Sequence, residues 1–449
     1  MNPIRSHILA GKLADLRRRD DWPALQSAHP RLVEMLWFLQ AQSRLPGGLV
    51  ALANRLVDEF PERFIASAPD TLPWLAEIRE SEGIETPLDD GKELARTGLG
   101  SLFHDWCEAK TYHAIPCPRY CPTLETLLIE FMDQVEGKVR QTVASTAIAR
   151  TVYRELEFAI TQTVPVPIIG ESRFGKTTAV AAWCEMRPGR ARLVTVPNTN
   201  RERDFIEAHA DAFGIEYTAG TSVSRLKELV QFVLRHSGLF LVYDEAHALV
   251  PTNYTRNTPP NRLNWVRCEV IDRGLGCAFF ATPQSYHQTL AQYTATTGYK
   301  MEQWLGRIGR PVVLPEFIGP EDLLAVARNN FPDVSDVLLE LTCSRAMRTG
   351  SPLQTIELLA RRARFLASEA GRSGVSLDDI QEASRYVGLL KEEPAATPSP
   401  DLGEAPATPS RRGGQVRSRR AVRPAGDITQ PPAMVPARGM QPAEMIAVG

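Results

Sequence analysis

The 449 residues contain no apolar run near the ~20 needed to span a bilayer as a helix, which excludes a helical membrane protein. The opening stretch MNPIRSHILAGKLADLRRRDD lacks the apolar core and small-residue cleavage site of a secretory signal, so the expected location is the cytoplasm. A basic excess is missing too: 51 Lys and Arg stand against 53 Asp and Glu, and a net charge of -2 supplies no overall attraction to nucleic acid or membrane. Any DNA contact has to be local, and no membrane partner is expected. Cysteines are few, odd in number at seven and scattered, which argues for reduced thiols and against a disulfide framework. His104, Cys107, His113, Cys117 and Cys121 gather soft ligands over a short span. Prolines interrupt Cys117-Pro-Arg-Tyr-Cys121-Pro, however, and no tight C-x₂-C knuckle is present, so core or loop thiols fit this segment better than zinc ligands.

What is there divides into regions. The length exceeds one ordinary domain, and 43% hydrophobic with 23% charged residues describes a globular chain of two or three units. From Arg31 to Phe64, Leu32, Met35, Leu36 and Leu39, then Leu49, Leu52 and Leu56, recur at helical spacing around a Pro46-Gly47-Gly48 turn. Residues 1–115 therefore read as a helical N-terminal domain, either a docking or structural module or a DNA-reading helix-turn-helix. Residues 116–315 begin with helices over Pro122 to Thr163. They continue with short apolar runs at Val166–Ile169, Leu193–Val196, Leu239–Tyr243, Cys277–Ala281 and Pro311–Leu314, each separated by amphipathic segments. Such alternation predicts an α/β sandwich of three layers around a parallel sheet. Residues 316–391 look purely helical, a small lid-like domain. Residues 392–449 are rich in Pro, Ala and Arg and too poor in apolar content to offset the entropy of ordering, so a disordered tail is expected.

Two motifs carry the chemistry. Gly170-Glu171-Ser172-Arg173-Phe174-Gly175-Lys176-Thr177, followed by Thr178, fits G-x-x-x-x-G-K-[ST] between an apolar strand and a helix. In such a P-loop the glycines let backbone N–H groups face phosphates, Lys176 neutralises β/γ-phosphate charge and the Thr177 hydroxyl ligates Mg²⁺, so ATP and Mg²⁺ are the expected cofactors. The second motif is Gly238-Leu-Phe-Leu-Val-Tyr-Asp244-Glu245-Ala-His247, a buried strand ending in two acids, which is a Walker B pattern. Asp244 is placed to hold Mg²⁺ and Glu245 to polarise the attacking water. Thr282, ending the next apolar strand, is a candidate for touching the γ-phosphate or the lytic water, or else a plain strand-ending turn. Arg307 and Arg310 precede the last strand. Either is a candidate arginine finger acting on a neighbouring subunit, and both also fit surface salt bridges.

The order of the Gly170–Thr177 loop, Asp244-Glu245-Ala-His247, Thr282 and Arg307/Arg310 resembles the AAA+ ATPases, over residues 120–390. Within them the chain looks most like the transposition regulators of the TnsC, TniB and MuB type, with origin-recognition and helicase-loader ATPases as further relatives. That resemblance implies an ATP-dependent homo-oligomer, a ring or filament, that coats duplex DNA, selects a target and recruits a transposase or other recombination protein. One departure bears on how lid movement follows nucleotide state. The sensor-2 arginine expected early in the lid is not evident in Gly350-Ser-Pro-Leu-Gln-Thr-Ile356, and Arg348 or Arg361 are the candidates to replace it.

For DNA, the polar insert Pro251 to Arg267 offers Arg256, Arg262 and Arg267 without an acid among them. It fits phosphate contacts and a protomer–protomer contact equally. Arg411, Arg412, Arg417, Arg419, Arg420 and Arg423 could make a basic arm or a solvated linker. A DEAH helicase is excluded because only about sixty residues separate Asp244-Glu-Ala-His247 from Gly306-Arg-Ile-Gly-Arg310, whereas a second nucleotide-facing lobe needs ~100 or more. A signalling or defence NTPase switch and a replication initiator or helicase loader are the alternative functions.

Overall fold

Five short segments, each apolar enough to be covered on both faces, pair into one parallel sheet: β1 Pro165–Ile169, β2 Ala191–Thr195, β3 Phe240–Asp244, β4 Cys277–Ala281 and β5 Val312–Val313. The computed structural model describes residues 2–64, 91–108, 122–332 and 334–387. Strand order is β2-β3-β4-β1-β5. Because β1 sits between β4 and β5 while the chain runs on to β2 at the far edge, the sheet has its switch point at β1, where a crevice opens beyond the carboxyl ends. Each of the five expected strands is present, shifted at its ends by one or two residues or not at all.

In chain order the helices are α1 Ser6–Arg17, α2 Trp22–Ala28, α3 Leu32–Ser43, α4 Gly48–Glu59, α5 Gly91–Glu108, α6 Pro122–Thr142, α7 Ala147–Gln162, α8 Lys176–Met186, α9 Glu202–Phe213, α10 Val223–Ser237, α11 Asn261–Glu269, α12 Pro283–Thr297 and α13 Glu302–Ile308. The lid follows with α14 Pro320–Asn330, α15 Asp336–Ala346, α16 Pro352–Glu369 and α17 Leu377–Tyr386. Alternate side chains of each strand point to opposite faces, which separates two cores. Leu241, Tyr243, Cys277 and Phe279 pack with α9, α10 and α11, and this core runs on without a break into Leu9, Leu13, Trp37, Leu52 and Trp106 of the N-terminal helices. Ile168, Val242, Ala278 and Phe280 pack on the other face with Val152, Val180 and Trp183, and this core continues into Leu323, Ile356 and Leu359 of the lid. Helices on both faces of a parallel sheet, followed by a helical lid, are the three-layer arrangement expected.

The N-terminal helices are less separate than their sequence implies. Trp37 Nε1 donates to the Ser237 carbonyl at 3.2 Å and Arg17 Nη1 to the His236 carbonyl at 2.7 Å, capping the C-terminal end of α10. Met35, Leu36, Trp37, Phe38 and Leu39 are all buried, so α3 has no free face to enter a DNA groove. The expected boundary near residue 115 lies outside the described residues, as do His113, Cys117, Cys121 and the tail beyond 387. Cys107 is buried, with its thiol directed to the Leu36 carbonyl at 3.8 Å. Among the described residues no cluster of three or more His, Cys, Asp or Glu could hold a metal ion, and no helix is long and apolar enough to cross a membrane.

Candidate active site

Beyond the end of β1 the chain must turn sharply and start α8, and two glycines make this possible. A Cβ on Gly170 would lie 2.8 Å from Leu314 Cβ, and Gly175 holds φ 84°, left-handed backbone that L side chains rarely adopt. Arg173 is left-handed as well, at φ 69°. The loop so formed wraps Lys176, the first residue of α8, whose Nζ donates to the carbonyls of Gly170 and Glu171, the latter at 3.0 Å. Burial holds the Lys176 ammonium below the usual lysine value, and the charges of Asp244, Glu245 and Glu171 oppose that shift. The positive end of α8 faces the same space.

From β3, Asp244 is buried, and its Oδ2 accepts from Thr177 Oγ1 at 2.9 Å. The two residues expected to hold Mg²⁺ thus lie together, a hydroxyl oxygen beside a carboxylate. Such a pair suits a hard cation that takes its remaining ligands from phosphate oxygens and water. Asp244 Oδ1 accepts from the Glu245 amide at 2.9 Å, while the Glu245 side chain is 53% exposed. Thr282 follows β4, which pairs with both β1 and β3, so its place beside the P-loop and the acids follows from strand order. Its hydroxyl caps α12, accepting from the Ser285 amide at 3.3 Å and donating to Ser285 Oγ at 2.8 Å. Thr282 thus stands on the cleft wall and also does the work of the strand-ending turn.

A cleft of about 580 Å³ joins these groups. Ser172, Arg173, Phe174, Gly175, Lys176, Thr177, Thr178, Asp244, Glu245 and Thr282 line it; Gly170 and Glu171 stand behind the wall and anchor Lys176. Part of the lining went unread in the sequence: Val143, Ala144 and Thr146 between α6 and α7, and Asn329, Asn330, Leu353, Gln354 and Glu357 from the lid. The polar break between two amphipathic helices at 142–146 was the one signal for the first group. Among the described residues no basic side chain of the lid lines the cleft. Arg361 pairs with Glu357 on the exposed side of α16, Arg348 is exposed, and the lid instead reaches the P-loop through Ser351 Oγ, which accepts from Arg173 Nη1 at 3.0 Å.

The remaining arginines lie outside the cleft. Arg307 is exposed and paired to Asp272 at 2.5 Å, while Arg310 is exposed with no ion pair among the described residues. The expectation that Arg262 contacts DNA needs correction. Its guanidinium turns inward, donating to the carbonyls of Pro197 and Arg201 at 2.8 Å each and of Ala248 at 3.2 Å, and lies 5.3 Å from the Phe205 ring centroid. Three carbonyls at loop ends need a buried donor, and Arg262 supplies it. Arg267 is half-buried and donates to Gln303 at 2.9 Å. Arg256 alone of the three is exposed without a hydrogen bond or ion pair among the described residues.

Residues 161–290 match the family described as an AAA domain, a span that takes in the P-loop, Asp244, Glu245 and Thr282. Together with the strand order, that match makes this a P-loop fold of the AAA+ kind. No curated protein matches the sequence. Similar solved structures include Cdc6p from Pyrobaculum aerophilum, at 14% identity over 55% of this chain and 70% of that one with a TM-score of 0.39. The Aeropyrum pernix ORC2 protein in ADPNP-ADP complexes matches at 17% identity over 56% and 67%, TM-score 0.38. A mutant RuvB of Thermotoga maritima matches at 15% over 53% and 70%, TM-score 0.32.

Proposed function

We propose that the protein hydrolyses ATP, that ATP drives its assembly on duplex DNA, and that the assembly regulates DNA transposition by choosing the target and recruiting a transposase or other recombination protein. The observation that carries the ATPase part is the 2.9 Å bond from Thr177 to Asp244, with Lys176 and Glu245 on either side of it. Lys176 and the N-terminal end of α8 neutralise the β- and γ-phosphates. Thr177 and Asp244 hold Mg²⁺, which when bound offsets charge on the phosphate oxygens. Glu245, exposed to the cleft, orients a water toward the γ-phosphorus and accepts its proton, and Thr282 borders the same space.

Assembly is supported by Arg310, which is exposed and does not line its own cleft, so that it is free to act on the triphosphate of a neighbouring copy. DNA contact is supported by Arg256, on a loop held to α12 by the Tyr293 hydroxyl on the Thr258 carbonyl and by Asn257 N to Thr297 O at 3.3 Å. The transposition role rests on the motif order, which resembles that of the transposition regulators. Electron microscopy of the purified chain with a non-hydrolysable ATP analogue and duplex DNA tests the reading. Rings or filaments that need both nucleotide and DNA are expected, and monomers indifferent to DNA would remove the transposition role. Calorimetry showing no adenine nucleotide uptake would remove the ATPase as well.

A further inference from the structure

Glu245 must present its carboxylate to water at a fixed angle to act as a base, yet that carboxylate accepts no hydrogen bond from any described residue. Its backbone is left-handed, φ 54° and ψ 37°, and it opens a tight 3₁₀ turn over Ala246–Leu249. The reversal brings the residue two positions on back toward it, and His247 Nδ1 lies 3.2 Å from Glu245 Oε2. That nitrogen is buried and outside hydrogen-bonding geometry, so it has no partner as it stands. Leaving such an atom unpaired costs about 1–3 kcal/mol, which asks for a reason.

The surroundings supply room for the ring to turn. His247 borders a small apolar cavity of about 30 Å³ shared with Phe279, Leu290, Trp304 and Tyr286, and the Tyr286 hydroxyl is also buried without a partner. Two unpaired polar atoms on one apolar cavity, one of them beside the base, are poor packing but a workable pivot. Among the described residues no other polar group approaches the Glu245 carboxylate within bonding distance.

We propose that His247 is the positioning residue for Glu245: a small rotation about its side-chain bonds closes the Nδ1–H on Oε2 and fixes the carboxylate toward the attacking water. The inference rests on the ATPase reading above. It is tested by single-turnover ATP hydrolysis and nucleotide affinity in His247→Leu, His247→Asn, His247→Gln, Glu245→Ala and the Glu245→Ala/His247→Leu double variant. His247→Leu is expected to slow hydrolysis by about tenfold or more, a part of the 10² to 10⁴ that a positioned base contributes, with nucleotide affinity unchanged. His247→Asn places an N–H where Nδ1 stood and is expected to recover most of the rate, while His247→Gln, whose N–H falls at the Nε2 place, stays slow. In the Glu245→Ala background His247→Leu should have no further effect, because a residue acting through Glu245 loses its object.

Hydrolysis by His247→Leu within about twofold of wild type, equal rates for Asn and Gln, or additive losses in the double variant each overturn the proposal. If His247→Leu loses its cooperative melting transition, the Asn and Gln pair decides alone. A wild-type chain that binds nucleotide but never turns it over would instead sink the ATPase reading, and that failure is distinguishable because it precedes any substitution.

Discussion

Lys176 and Glu245 share the cleft, and the proposed function gives them different stages, which substitution should separate. Lys176→Ala is expected to abolish ATP binding in calorimetry, since the other cation of the P-loop, Arg173, is directed to Ser351 of the lid. Glu245→Gln is expected to keep binding and lower turnover by about 10² or more, trapping the assembled state; equal turnover in the two proteins would take Glu245 out of its role. The arginines of the 251–267 insert separate as sharply. Arg262→Ala removes the donor of one buried and two part-buried carbonyls and should cost about 2–3 kcal/mol in a denaturant titration. Arg256→Ala should leave stability within about 0.5 kcal/mol and flatten the salt dependence of DNA binding by about 0.9 in log–log slope. An Arg256 variant with an unchanged slope would show that the loop meets something other than phosphate.

At the scale of elements, α9 and β3 are joined by a buried histidine that makes the sheet sensitive to acid. His209 Nδ1 faces the Phe205 carbonyl at 2.8 Å and Nε2 faces the Tyr243 hydroxyl at 3.2 Å, so the neutral ring donates through Nδ1 and accepts at Nε2. Burial, only partly opposed by the Phe205 carbonyl, lowers its pKa from 6.5 to about 4. The depressed value means that the unfolded chain takes up the proton first. Stability from this group is complete above about pH 6.5, falls as the pH drops toward about 4, and is level below that. At pH 5 the loss should be about 2 kcal/mol relative to pH 7.5. Denaturation midpoints at the two pH values would measure it, and His209→Gln should abolish this part of the difference; an unchanged pH dependence in that variant would place the acid sensitivity elsewhere.

For the whole molecule, the common core of α1, α3 and α10 means that the N-terminal helices and the nucleotide fold hold each other in place. The lid is tied in the same way, through Ile356 and Leu359 on the second face and Arg173 to Ser351 across the cleft. Assembly then decides which arginine matters. If Arg310 completes a neighbour's site, Lys176→Ala and Arg310→Ala should each be inactive alone, yet regain a fraction of wild-type hydrolysis when mixed. Mixed subunits can form one site carrying both wild-type residues. No recovery on mixing, with Arg307→Ala tested beside it, would confine these arginines to surface roles.

The amino-acid sequence alone determined the parts whose cause is local. The P-loop needs its glycines at a fixed local spacing, the strands need consecutive apolar residues, and the acid pair must end a buried strand, so Lys176, Thr177, Asp244, Glu245 and all five strands were legible from spacing. Tertiary structure decided what depends on residues distant in the chain. It turned Arg262 inward onto carbonyls 14 to 65 positions away, set Thr146 and Gln354 on one cleft wall, and fused the N-terminal helices to the sheet's core. Side-chain direction and shared burial arise only when separate elements pack, and no periodicity along the chain encodes them.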